Sequence, residues 1–238
     1  MNNENPFNLD AQNNQGYLYS TNASLSSKLA NQRLTDITLE SIQLVKKNVI
    51  DIGCGDGTYT IEVYDRGNPS LIIANDIAES AVHIACDKSG QRNIRYQVNS
   101  AYELPFANKT FDIAVLRGVL HHLDDPRRAI KEALRVAHTL WVIEPNGYNP
   151  GLKLLEKFSR YHIEHQEKSY SPASLDKWVE SFGGYVSKRT WVGFVPMFCP
   201  AWMARSMKAM EPVVERTPLI NRIACAVYSF VAEHTFAK

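Results

Sequence analysis

The sequence is short of cysteine, of charge imbalance and of long apolar runs, and each shortage closes off a class of protein. Its 238 residues hold four cysteines, Cys54, Cys86, Cys199 and Cys225, spread far apart. No C-x-x-C pair and no Cys/His cluster of zinc spacing occurs, so neither a disulfide scaffold nor a metal site is expected. Reduced cysteines of this kind predict a cytoplasmic protein. Lys+Arg total 26 against Asp+Glu 25, a formal net charge of +1. That balance excludes the broad basic field of a nucleic-acid binder and gives no ground to expect an anionic membrane as partner. The longest apolar run near the end, residues 223–232, is about half of what a membrane span needs, so no span is expected. The first residues are polar and Asn-rich, without the basic and apolar regions of a secretory leader. Repeats and linkers are lacking too. One domain over residues 21–238 is therefore expected, preceded by a loose arm at 1–20 and carrying an apolar excursion at 190–221.

What is present is a regular alternation. Ala30, Leu34, Ile37, Ser41 and Leu44 share one helical face. A short apolar strand, residues 48–52, then runs into a glycine-rich turn and a second helix. Further buried strands are expected at 71–75, 94–98, 111–116 and 140–144, with helices at 79–88 and after Asp125-Pro126, where an N-cap precedes a first-turn proline. Another helix starts at Ser171-Pro172 and stops at Gly183-Gly184. Residues 185–195 and 224–231 read as the last strands. Strands and helices alternating at this spacing predict an α/β, doubly wound, Rossmann-like sheet, mostly parallel, with helices on both faces. Ligands of such sheets bind at the carboxyl ends of the strands. Here those ends are Asp51, Asp76, Ser100, Arg117 and Glu144.

The most specific feature is the turn itself, Asp51-Ile52-Gly53-Cys54-Gly55-Asp56-Gly57. Its G-x-G-x-G spacing departs from the G-x-G-x-x-G of dinucleotide folds, and a carboxylate beside the turn suits a ligand with an ammonium group better than a pyrophosphate. With Asn75-Asp76-Ile77, Leu104-Pro105-Phe106, Phe111-Asp112, the stretch from Val119 through His121-His122 to Leu123, and Asp124-Asp125-Pro126, the stretch from Val49 to about Pro145 resembles a class I S-adenosylmethionine-dependent methyltransferase of the small-molecule type.

The resemblance implies a seven-stranded sheet whose last strand is antiparallel, and S-adenosyl-L-methionine as cofactor. It places Asp51, Gly53, Cys54, Gly55 and Gly57 around the methionine portion, Asp76 on the ribose hydroxyls and Ile77 on the adenine ring. Ser100 and Ala101 fall where relatives meet the adenine amino group, with Ser100 standing in for an Asp. Arg117 is expected to line the cofactor through its backbone or to meet an acidic substrate. The Pro-Gly-Gly loop usual before the fifth strand is missing around Arg135 to Leu140.

His121-His122 follows the fourth strand, on the side where the methyl group should emerge. By resemblance His122 is the base or substrate contact, and His121 packs or bonds backbone. Tyr17, Tyr19 and Arg33 are candidates to cover the cofactor, with Arg33 on its carboxylate. A second cluster, Tyr161, His162, Glu164, His165 and Glu167, reads as a polar helix end or as a base or metal site. Residues 190–204 lack charge and are rich in Trp, Phe and Met. They read as core packing, as a lid over a lipid-linked or other apolar acceptor, or as a contact between two copies. The expected activity is methyl transfer to a small-molecule, lipid-linked or glycan acceptor, with oxygen as nucleophile. The rivals are a non-catalytic cofactor-binding assembly partner and an NAD-dependent oxidoreductase.

Overall fold

A computed structural model describes residues 16–158 and 168–234. Seven strands form one sheet: β1 (Asn48–Ile52), β2 (Leu71–Asp76), β3 (Ile94–Val98), β4 (Phe111–Arg117), β5 (Ala137–Pro145), β6 (Gly184–Val192) and β7 (Val227–His234). Their order is β3-β2-β1-β4-β5-β7-β6. Pairings among β1 to β5 are parallel, while β7 runs antiparallel to both β5 and β6. This is the sheet expected from the sequence, with its reversed last strand.

The helices are α1 (Leu18–Thr21), α2 (Leu25–Ser41), α3 (Thr58–Gly67), α4 (Glu79–Ser89), α5 (Pro126–Val136), α6 (Pro150–Phe158), α7 (Pro172–Ser181), α8 (Ala201–Arg216) and α9 (Ile220–Ala224). Side-chain alternation along the central strands sends two sets of apolar groups to opposite faces. Ile50, Ile52, Leu116, Leu140 and Val142 pack with Ile130 and Leu134 of α5 and with Leu175 and Val179 of α7. Val49, Val115, Trp141 and Ile143 pack with Leu34 and Ile37 of α2 and with Val63 of α3. Two layers of helix therefore cover one sheet, and β1 and β4 lie side by side at its centre, where the strand order reverses.

Local chemistry sets the helix starts. Ser24, Asp125 and Ser171 each accept a hydrogen bond from a backbone N–H in the first turn of the helix they precede, and Pro126 and Pro172 follow the latter two caps. The chain end differs from its sequence pattern. Residues 224–226 were expected to open the last strand, but Ala224 ends α9 and β7 begins at Val227. The reason is polar: the side-chain amides of Asn146 and Asn149 donate to the carbonyl oxygens of Arg222, Ala224 and Cys225, which closes the helix before the strand can start. The apolar stretch 190–204 also divides. Val192, Val195 and Ala204 are buried, whereas Phe198 and Trp202 are exposed. Among the described residues, no helix is long and apolar enough to cross a membrane.

Candidate active site

Three turns meet at the carboxyl ends of β1, β2 and β4. The first is the glycine turn. Gly53, Gly55 and Gly57 have φ of 78°, 55° and 73°, a left-handed region that a side chain resists. Space forbids one as well: a Cβ on Gly53 would stand 2.5 Å from a Val119 methyl, and one on Gly57 would stand 2.7 Å from Ala85 Cβ. Gly57→Ala is accordingly expected to cost about 1–3 kcal/mol of stability, the usual penalty for overpacking a tight contact. A urea unfolding series would read it as a lower midpoint at unchanged slope.

The second turn follows β2. Asp76 accepts the backbone N–H of Gly55 through Oδ2 at 2.8 Å and that of Ala78 through Oδ1 at 2.9 Å. Each oxygen keeps a further lone pair for a ligand hydroxyl. Burial raises the Asp76 carboxyl above its ordinary value, and the backbone donors oppose that rise. Ile77 beside it is exposed. Asp51, under the glycine turn, accepts from Thr60 Oγ1 at 2.6 Å, and burial pushes its carboxyl up to about 6. Cys54 is buried, and its thiol is held well above the ordinary value by that burial. Ser100 caps a turn by accepting from Tyr102 N, and Ala101 packs against the core.

The third turn follows β4. Glu144, 1% exposed at the end of β5, accepts from the backbone N–H of Val119 at 2.8 Å and of Leu120 at 2.7 Å. Its other oxygen lies 2.8 Å from His121 Nδ1. Three donors converge on one buried carboxylate, so the turn and the imidazole are fixed together. With Nδ1–H donating to Glu144, the neutral ring carries its lone pair on Nε2. The His122 ring lies against His121 with centroids 3.9 Å apart. The sequence left His121 to packing or a backbone bond; its ring nitrogen instead meets the Glu144 carboxylate. The pairing spans 23 positions, and Glu144 was marked only as a strand end.

Arg117 turns inward. Its guanidinium stacks 3.8 Å from the Tyr59 ring centroid and donates to Thr35 Oγ1 and to the Asn31 carbonyl, in a cavity that Asp51, Gly53 and Cys54 also line. Burial lowers its pKa from the ordinary value. Arg33 does not reach the site. It is clamped on Glu215 of the excursion by Nε and Nη2 and on Glu40 of its own helix by Nη1, so two carboxylates already hold it. The arm contributes Tyr17, whose ring occupies the space a Cβ on Gly55 would need and packs on Ala78 and Ala81. Sequence reasoning missed its anchor, Asp56. That buried carboxylate accepts from Ser20 Oγ at 2.5 Å and Lys88 Nζ at 2.9 Å. Only its place between two glycines hinted at such a role. The side chain of Tyr19 and the cluster at Tyr161, His162, Glu164, His165 and Glu167 lie outside the described residues.

The donor set fits a cofactor that carries both an amino acid and a ribose. Positive-φ glycines admit close approach, Asp51 is an acceptor for an ammonium group, and Asp76 offers two oxygens at diol spacing. A nicotinamide dinucleotide would set its pyrophosphate beside two carboxylates.

Comparison with known proteins agrees. The family model described as a methyltransferase domain matches residues 50–139, which span β1 to the start of β5. The chain is 32% identical over 105 residues to the chloroplastic 2-methyl-6-phytyl-1,4-hydroquinone methyltransferase 2 of Oryza sativa subsp. japonica, covering 43% of this chain and 30% of the relative. It is 31% identical over 109 residues to the ubiquinone/menaquinone biosynthesis C-methyltransferase of Rickettsia prowazekii, covering 42% and 44%. The match thus spans less than half the length of these curated relatives. The magnesium protoporphyrin IX methyltransferase of Synechocystis, solved with S-adenosylhomocysteine bound, shares the fold with a TM-score of 0.64 and 16% identity over 90% of this chain and 89% of that one. Residues 50–139 thus match a methyltransferase domain, and the fold and motif set around them resemble those of class I S-adenosylmethionine-dependent methyltransferases.

Proposed function

We propose that the protein transfers the methyl group of S-adenosyl-L-methionine to a hydroxyl oxygen of a small or medium-sized acceptor, with His121 as the general base. The observation that carries this reading is the buried Glu144–His121 pair on the turn after β4. The bound cofactor supplies an electrophilic methyl group on a sulfonium. The chain's residues position and deprotonate. The glycine turn and Asp51 hold the methionine portion, Asp51 through the ammonium group. Asp76 accepts the ribose hydroxyls, with Ile77, Ser100 and Ala101 around the adenine. Arg117 is the nearby fixed cation for the carboxylate of the methionine portion.

His121 Nε2 takes the acceptor's proton as the oxygen attacks, and Glu144 stabilises the imidazolium that results. A base so placed contributes roughly 10²- to 10⁴-fold. His122 packs on it and lines the acceptor side. A hydroquinone is named for the Oryza sativa relative and quinone biosynthesis for the Rickettsia prowazekii C-methyltransferase, and a quinol ring suits this chemistry because loss of a ring hydroxyl proton creates the nucleophile.

Calorimetry with S-adenosylhomocysteine and with NAD tests the cofactor reading: binding of the first alone supports it, and binding of NAD alone overturns it. Incubation of alkylated hydroquinones and phenols with methyl-labelled cofactor, followed by product analysis, tests the acceptor. Label on ring carbon would move the nucleophile from oxygen to carbon.

Asp51 adds a pH dependence. Its carboxyl is raised to about 6, so the ionised form that meets an ammonium group is lost below that value. Affinity for S-adenosylhomocysteine is expected to fall as pH drops from 7 towards 5, by up to about tenfold per unit. Stability moves the other way. A raised carboxyl contributes stability that is fully present below its unfolded value of about 3.9 and is lost as pH rises through about 6.

A further inference from the structure

The net charge near zero hides an uneven surface. Helices α6, α8 and α9 form one rim at the carboxyl end of β5. Asn149, at the start of α6, donates to the carbonyls of Ala224 and Cys225 at the end of α9, and Asn221 of α9 donates to the Glu215 carbonyl of α8. On this rim Leu154, Leu155 and Phe158 of α6 are exposed, as are Trp202, Met210 and Val213 of α8 and Leu219, Ile220 and Ile223 at α9. Trp202 and Leu219 are 70% exposed, Phe158 is 69% and Val213 is 68%, far beyond the scattered apolar residues of an ordinary surface.

The charges on the same three helices are sorted by sign. Lys153, Lys157, Arg205, Arg216 and Arg222 are exposed. The acids are withdrawn: Glu156 bonds Lys153 and Ser169 N, Glu211 bonds Lys208 and Phe194 N, and Glu215 holds Arg33 and Gly193 N. Among the described residues of these helices no acid is exposed.

We infer that this rim docks on an anionic lipid surface. A tryptophan, branched aliphatics and a phenylalanine flanked by cations are the composition of an interfacial helix face, which buries its apolar groups at the headgroup boundary while its cations meet lipid phosphates. A second copy of the chain is a poor occupant. An isologous contact would set Arg205, Arg216 and Arg222 against the same cations, with no exposed acid on the three helices to pair them. Glu144 ends β5 on this same side, so an acceptor dissolved in the bilayer would enter beside His121. That last clause rests on the methyl-transfer reading; the docking does not.

Flotation tests it, using vesicles of equimolar phosphatidylcholine and phosphatidylglycerol, vesicles of phosphatidylcholine alone, and the full chain. The chain is expected to float with the anionic vesicles, to float at least tenfold less with the neutral ones, and to be released at about 1 M salt, where the Debye length is about 3 Å. Two double variants, Trp202→Glu with Val213→Glu and Arg205→Glu with Arg216→Glu, should each lose flotation at least tenfold with unchanged thermal midpoint and unchanged S-adenosylhomocysteine affinity. Absence of native flotation, or undiminished flotation of both variants, overturns the proposal. So does sedimentation velocity showing a native dimer that both variants dissolve. Flotation intact with no S-adenosylhomocysteine binding would instead fault the methyltransferase reading alone.

Discussion

Asp76→Ala is expected to weaken S-adenosylhomocysteine binding by an order of magnitude or more, measured by calorimetry at pH 7.5. Two effects add. The ligand's ribose loses both acceptor oxygens, and the backbone N–H of Gly55 and of Ala78 lose the carboxylate that now fixes them. Each charge-assisted hydrogen bond contributes about 1.5–3 kcal/mol, and about 1.4 kcal/mol is a factor of ten. Asp76→Asn separates the two effects. Its amide oxygen can retain one of the backbone N–H groups, so the turn keeps much of its shape while the second diol acceptor is gone. Affinity between that of the native chain and that of the alanine variant is expected. Native affinity in the alanine variant would remove Asp76 from the ribose.

The second large effect belongs to Glu144. Glu144→Gln is expected to lower kcat with a suitable acceptor by roughly 10²-fold or more, within the range that a positioned base supplies. KM for the acceptor and S-adenosylhomocysteine affinity should stay close to native. The amide oxygen can still accept the Val119 and Leu120 N–H groups, but the charge that stabilises an imidazolium at His121 is lost. The acidic limb of the pH–rate profile should move to lower pH, because His121 then binds its proton less tightly. A purely structural role would change stability and leave that limb in place. His121→Ala should match or exceed the loss in kcat, whereas His122→Ala should alter acceptor KM more than kcat. A loss in kcat larger for His122→Ala than for His121→Ala would return the base role to His122. Glu144→Ala is the harsher change: it strands two buried N–H groups at about 1–3 kcal/mol each, and lower yield of folded protein is expected.

The sheet was readable because its strands are apolar runs bounded by turn residues. β1 and β3 begin and end where the pattern puts them, and β2, β4 and β5 differ by a few residues at their ends. The glycine turn was legible for a similar reason, since its conformation is demanded locally by Gly53, Gly55 and Gly57. What escaped was every feature made by two distant residues. Arg33 looked available until Glu215 took it, 182 positions away. His121 looked inert until Glu144 reached it. Asp56 gained its meaning from Ser20 and Lys88. The sorting of charge on α6, α8 and α9 is of this kind as well. Composition sums Glu156, Glu211 and Glu215 with the arginines, and only burial shows that the acids face inward. The sequence expectation that disfavoured anionic membranes rested on that sum.

The reversed direction of β7 has a practical consequence for handling the molecule. Its first residue, Val227, pairs with Pro145 at the catalytic end of β5, and its last, His234, pairs with Gly184 where β6 begins. A biotin, bead or sensor chip attached at His234 therefore grips the molecule from the opposite pole. Immobilised that way, the protein would present its glycine turn, its histidines and its apolar rim outward together, an orientation that a tether at Tyr17, beside Gly55, would not give.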